Sequence, residues 1–295
     1  PDILDGDLQI KCNLRVAEIA HRELNDRDLA RDYYVKVLDI DSVNMEAMDS
    51  LEKIYEEGEQ YADLFEIYRR KVHTVTDEEL RRNILFKQAK LCEYKLDDLD
   101  GAVNTYETIL SSDPQNPDAI ESLDRLYPKA EHWTDLINLL ERRAEVESDN
   151  RDDLLFRLGV LADEKMGDDE RALEYFSRVL EVNPMHQGTL SALETAMDDD
   201  NRRGQVAAIL EPVYKRNADW AKLVKALEAR LEFSEDVEER KNLLSQMGIR
   251  YEEQLDDLES AFETFARLYK EDIEDTSTRE ILSRLASALE IWPRL

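Results

Sequence analysis

LLFRLGVLADEKMGDDERALEYFSRVLEVNP, residues 154–184, reads as two helices joined by a tight turn. Leu155, Leu158, Gly159 and Ala162 recur at helical spacing in the first helix. The turn is Met166-Gly167-Asp168-Asp169, and Ala172, Phe176 and Val179 then share one face of the second helix, which stops at Asn183-Pro184. A small residue in each helix is expected to face the other, so that the hairpin closes tightly while the bulky positions point to a neighbouring hairpin. One such hairpin cannot bury its apolar face alone.

Self-comparison supplies the neighbours. LARDYYVKVLDIDSVNMEAM at 29–48 recurs as GAVNTYETILSSDPQNPDAI at 101–120, as RALEYFSRVLEVNPMHQGTL at 171–190 and, more loosely, as SAFETFARLYKEDIEDTSTR at 260–279. The anchors are Ala30, Ala102, Ala172 and Ala261, each followed four residues later by Tyr34, Tyr106, Phe176 or Phe265. Between these hairpins lies a second kind, Leu51-x-x-Ile54-Tyr55 followed by Tyr61-x-Asp63-Leu64, matched by Leu123-x-x-Leu126-Tyr127 with Trp133-x-Asp135-Leu136. The chain therefore divides into double-hairpin units at about 7–75, 76–148, 149–235 and 236–295. The third carries an extra stretch at about 198–217, whose core GQVAAILEPVYKR is amphipathic and predicts one more helix before Trp220-x-x-Leu223 restores the pattern. Trp292 stands where Trp133 and Trp220 stand, and Ile291 and Leu295 are apolar where a closing repeat should be polar. The last unit thus reads as truncated and the chain as a piece of a longer array.

The composition fits this reading. Only 8 Gly and 7 Pro interrupt 295 residues, 37% of which are charged, and the 42% hydrophobic fraction is enough to bury a continuous core. The net charge of −30 repels phosphate backbones and anionic lipid, which argues against nucleic acid or membrane as direct partners; it reads either as a surface for a basic partner or as a solvated acidic exterior that keeps a long array soluble or suits high salt. No apolar run approaches the roughly 18 residues of a membrane span, and no signal peptide opens the chain. Cys12 and Cys92 are too far apart along a repeat array for an expected disulfide, so a reducing, cytoplasmic location is expected.

At these residues the sequence resembles the tetratricopeptide repeat, in whose pattern Leu155, Leu158-Gly159, Ala172, Phe176, Val179 and Pro184 fit. Phe86, Ala89, Ala102, Tyr106, Ile109 and Pro114 fit it again, and Gly248, Tyr251, Ala261 and Phe265 in part. The turn inside the first hairpin is about one residue longer than the family norm, and the second hairpin of each unit is degenerate. The alternation of a good repeat with a degenerate one resembles long tandem arrays in some large bacterial proteins. The resemblance implies an all-α solenoid, a right-handed superhelix of antiparallel helix pairs, with a concave groove lined by first helices that binds a partner peptide or domain.

Catalytic signatures are missing. His21, His73, His132 and His186 are dispersed, and Glu18 with His21 forms an E-x-x-H pair without the second such pair that a di-metal bundle requires. Asp198-Asp199-Asp200-Asn201 lacks the loop spacing and closing glutamate of a calcium site and reads as helix-capping chemistry. No phosphate loop, nucleophile elbow or Cys-His pairing appears, so no enzymatic activity, cofactor or metal is expected. Trp133, Trp220, Tyr34 and Phe176 recur at repeat positions and read as packing residues. By analogy with the family, the groove is then lined by Glu18 and His21, by Lys90 and Glu93, by Asp163 and Glu164, and by Glu252 and Glu253. The expected function is a non-enzymatic scaffold binding a protein or peptide, with a basic or amphipathic segment as the expected ligand. A module that self-associates through exposed repeat ends, or a regulatory arm of a larger protein, is the alternative.

Overall fold

A computed structural model describes residues 6–291, which contain α-helices and no β-strand. They cluster into two compact units divided between Leu139 and Leu140. The first holds α1 (Gly6–Arg22), α2 (Arg27–Ile40), α3 (Met45–Glu57), α4 (Tyr61–Thr74), α5 (Glu78–Leu91), α6 (Leu99–Ser112) and α7 (Pro117–Leu126). The division falls inside α8 (Trp133–Val146). The second unit continues with α9 (Arg151–Leu161), α10 (Asp169–Val182), α11 (Gln187–Ala196), α12 (Arg203–Arg216), α13 (Trp220–Phe233), α14 (Val237–Glu253), α15 (Leu258–Glu271) and α16 (Thr276–Ala288). From α1 to α7, and again from α9 to α16, each helix packs on the next. The fold is an all-α array of tetratricopeptide-like hairpins.

The turns are built from backbone conformation and carboxylates. Asn25, Asp97, Gly167 and Asp256, each five residues before an anchor alanine, all have left-handed backbone with φ between 53° and 63°. The next residue is always Asp, and its side chain caps the following helix. Asp26, Asp98, Asp168 and Asp257 accept from the backbone N–H of Leu29, Gly101, Arg171 and Ser260 at 2.9 to 3.0 Å. Before two of these turns the chain makes a π-helical turn, Cys92–Leu96 after α5 and Ala162–Met166 after α9, which accommodates the residue by which the turn exceeds the family norm. A second left-handed set, Glu59, Glu131 and Ala218, precedes α4, α8 and α13 by the same register.

Packing follows the anchors. Ala30, Ala102, Ala172 and Ala261 are essentially inaccessible, as are Tyr106 and Phe265. Gly159 differs from its expected role opposite Ala172. A Cβ there would run into the ring of Phe176, so the missing side chain admits an aromatic ring rather than a second small residue. Gly248 makes the same space for Phe265, whose Cε2 would lie 2.7 Å from a Cβ.

The stretch at 198–217 contains α12, which packs along α13. Its Leu210-x-x-Val213-Tyr214, followed by Trp220, repeats the spacing of Leu51-x-x-Ile54-Tyr55 with Tyr61. Counted back from α13, α12 holds the place of α3 and α7, whereas counted on from Ala172 that place is held by α11, so this unit carries one helix more than the others. Trp292 and Leu295, named above as an exposed repeat end, lie outside the described residues.

Candidate partner-binding surface

The groove residues inferred from the family pattern fall on first helices or on the π-helical turns that follow them, and four of the eight, Glu18, Glu93, Asp163 and Glu252, are engaged within the protein. Glu93, in the π-helical turn after α5, is a buried carboxylate gripped by the guanidinium of Arg125 on α7, with Nη2 to Oε2 at 2.8 Å. Glu252, at the end of α14, is held the same way by Arg284 on α16, with Nη2 to Oε2 at 3.0 Å. Asp163 accepts from Arg202 at 2.7 Å, the arginine coming from the turn before α12. Each acid lies four residues after its small anchor, Ala89, Gly159 or Gly248. The Arg125 hydrogen bonds hold the Glu93 carboxyl below the usual glutamate range, and those of Arg284 do the same for Glu252.

His21 occupies this position in the first hairpin. Lys53 stands where Arg125 and Arg284 stand, and the His21 Nδ1 is buried without a hydrogen-bond partner. Glu18 is taken by Arg15 and Arg22 of its own helix, at 2.8 and 3.0 Å. Lys90, Glu164 and Glu253 are exposed. The sequence reading missed the arginines that hold the acids, although the recurrence of Leu123-x-Arg125-Leu126 in Leu282-x-Arg284-Leu285 would have revealed two of them.

A second set of ion pairs ties the degenerate hairpins. Lys71 on α4 is 3% exposed and reaches Glu52 and Asp49 on α3, the latter at 2.7 Å. Arg230 on α13 reaches Glu211 on α12 at 2.5 Å from the same register. The Asp run before α12 is also occupied. Asp199 accepts from the backbone of Asn201 and the side chain of Arg202, and Asp200 pairs with Arg203. Among the described residues no cluster of His, Cys, Asp and Glu is placed to hold a metal ion. Both thiols are free, Cys12 exposed and Cys92 buried, and burial pushes the Cys92 thiol up to about 11, which keeps it protonated and unreactive. No described helix is long and apolar enough to cross a membrane.

One first-helix surface stays open. In the second unit α14 and α16 flank a groove of ≈ 470 Å³ floored by Phe265 and Leu268, with Asn242, Ser245, Glu238 and Thr278 on its walls. At one end Lys241 bridges Glu238 and Asp272, at 2.9 and 3.0 Å.

The profile of the tetratricopeptide repeat matches residues 153–184, the hairpin of α9 and α10. The hairpins ending in α2, α6 and α15 repeat its turn, cap and anchor positions. The hairpin of α9 and α10 is a tetratricopeptide repeat. Among curated proteins no match is found. Among solved structures, YrrB, a TPR protein with an unusual peptide-binding site, is 16% identical over 61% of this chain and 89% of its own, with a TM-score of 0.32. Naa15/Naa10 bound to HypK-THB is 13% identical over 96% of this chain and 56% of its own, at 0.43. A tetratricopeptide repeat protein from Parabacteroides merdae is 14% identical over 94% and 99%, at 0.33. A tetratricopeptide-repeat fold supports a protein–protein interaction scaffold in general terms.

Proposed function

We propose that this protein is a non-enzymatic scaffold that holds a peptide or domain of a partner protein against its first helices. The observation that carries the reading is the open α14–α16 groove, with an apolar floor of Phe265 and Leu268 and hydrogen-bonding walls. That combination suits a peptide, whose side chains need apolar contact and whose backbone needs donors and acceptors. Lys90, Glu164 and Glu253 offer further contact points on first helices, while Glu93, Asp163 and Glu252 fix the spacing of the helices that present them. The charge of −30 favours a basic segment.

The test is capture of partners from source lysate on the immobilised chain at low and elevated salt, beside a Ser245→Trp variant that fills the groove. A basic protein held at low salt, released at high salt and lost from Ser245→Trp is the expected result. Equal capture by both proteins would remove the groove from the function.

A further inference from the structure

The tyrosine of the Leu-x-x-aliphatic-Tyr signature recurs as Tyr55, Tyr127 and Tyr214. Tyr127 donates its hydroxyl proton to Glu107 at 3.0 Å, and Tyr214 donates to Glu194 at 3.0 Å. Glu107 directly follows the core Tyr106 on α6. The residue in that place on α10 is Ser177, and on α2 it is Val35. In the second unit the lost carboxylate is returned by a different element, since Glu194 belongs to α11, the helix immediately before that of Tyr214. A buried tyrosine hydroxyl at this position is therefore satisfied even when its own hairpin lacks the acid.

In the first unit nothing returns it. Tyr55 is 7% exposed, no hydrogen bond reaches its hydroxyl, and burial raises its pKa. It lies on an open groove of ≈ 530 Å³ between α2 and α4, whose other lining residues are Arg31, Asp32, Val35, Lys36, Gln60 and Asp63. Two of these are cations the next unit does not have there, since Arg31 and Lys36 take the places of Val103 and Thr108. Arg31 is engaged with Asp28 and Asp32 at 2.9 and 3.0 Å, whereas the Lys36 ammonium is exposed, 4.0 Å above the Tyr33 ring. Asp63 does not forbid an anion, because Asp135 stands at its register beside the Tyr127–Glu107 pair. A hydroxyl that opens on the groove without a protein acceptor, in a lining that also holds an unneutralised ammonium, is chemically complementary to a carboxylate.

We propose that this groove binds a glutamate side chain of a partner protein, its carboxylate accepting from the Tyr55 hydroxyl and facing Lys36. The rim acids Asp32 and Asp63 and the overall charge of −30 select a glutamate set among lysines or arginines. This surface lies on the second helices and is independent of the α14–α16 groove.

The experiment titrates acetyl-Lys-Lys-Glu-Lys-Lys-amide, and the same peptide with Gln for Glu, into the whole chain by calorimetry. The glutamate peptide should bind about tenfold more tightly, the ratio expected of one charge-assisted hydrogen bond. Tyr55→Phe, which keeps the ring and removes the hydroxyl, should erase that ratio at an unchanged thermal midpoint. Val35→Glu should supply the carboxylate from within, block the glutamate peptide and raise the midpoint. Equal affinities for the two peptides, binding of neither, or a ratio that survives in Tyr55→Phe would each overturn the proposal, as would Val35→Glu leaving the ratio intact.

Discussion

Gly167 and Gly159 lie eight residues apart and are required for different reasons. Gly167 has φ 63° with nothing within 4 Å of a would-be Cβ, so its need is purely of the backbone. Gly167→Ala should cost about 1 kcal/mol, the strain of left-handed backbone in an L-residue. Gly159→Ala instead drives a methyl into the Phe176 ring and should cost about 2–3 kcal/mol, most of it recovered by adding Phe176→Leu. Thermal melts of the two single variants and the double variant check both, and failure of Phe176→Leu to rescue would refute the packing. The same reasoning runs in reverse at Glu131 and Ala218, which hold φ 57° and 55° without being glycine. Relief of roughly 1–2 kcal/mol of strain, against about 0.4–1 kcal/mol of extra unfolded-chain entropy, leaves a net gain of about 0.5–1 kcal/mol. Glu131→Gly and Ala218→Gly should therefore raise the denaturation midpoint, and a fall in both would mean that their side chains contribute more than the turn strain costs.

At the scale of the helix pair, adjacent first helices are locked by Glu93 with Arg125 and by Glu252 with Arg284. The Glu93 side chain is only 5% exposed while that of Arg125 is 40% exposed, so the two halves of the pair are unequal. Arg125→Ala strands a buried carboxylate and should cost about 2 kcal/mol, whereas Glu93→Gln keeps an acceptor in place and should cost less. Because the folded pKa of Glu93 lies below its unfolded value, the pair's contribution is complete above the ordinary glutamate pKa of 4.5 and fades as the pH falls through the lower folded value. The stability difference between the chain and Glu93→Gln should shrink across that acid window, and a constant difference from neutral to acid pH would show that the charge is irrelevant. The anchors and the glycine turn were legible in the sequence because they are local, each signal lying within five residues of its effect. The locks were not, because acid and arginine stand 32 residues apart and meet only when the hairpins stack.

For the chain as a whole, the excess of 69 acidic over 39 basic residues opposes the compact state, while the many ion pairs favour it, and salt weakens both. The pairs that involve exposed side chains contribute about 0–1 kcal/mol each, and the near-buried members, Glu93 and Lys71, are those that salt reaches least. Self-repulsion among the unpaired acids has no such protection, since those carboxylates face solvent. Screening should therefore remove more repulsion than attraction, and the thermal midpoint should rise as sodium chloride is increased from about 0.05 M to about 0.5 M, where the Debye length falls well below its 10 Å at 0.1 M. Capture of a basic partner should respond in the opposite sense, because attraction between unlike surfaces is what screening removes there. Opposite signs in the two measurements on one protein would show that the acidic surface is kept for recognition at a cost in stability. A midpoint that falls with salt would instead place the ion pairs between neighbouring helices in control of the fold.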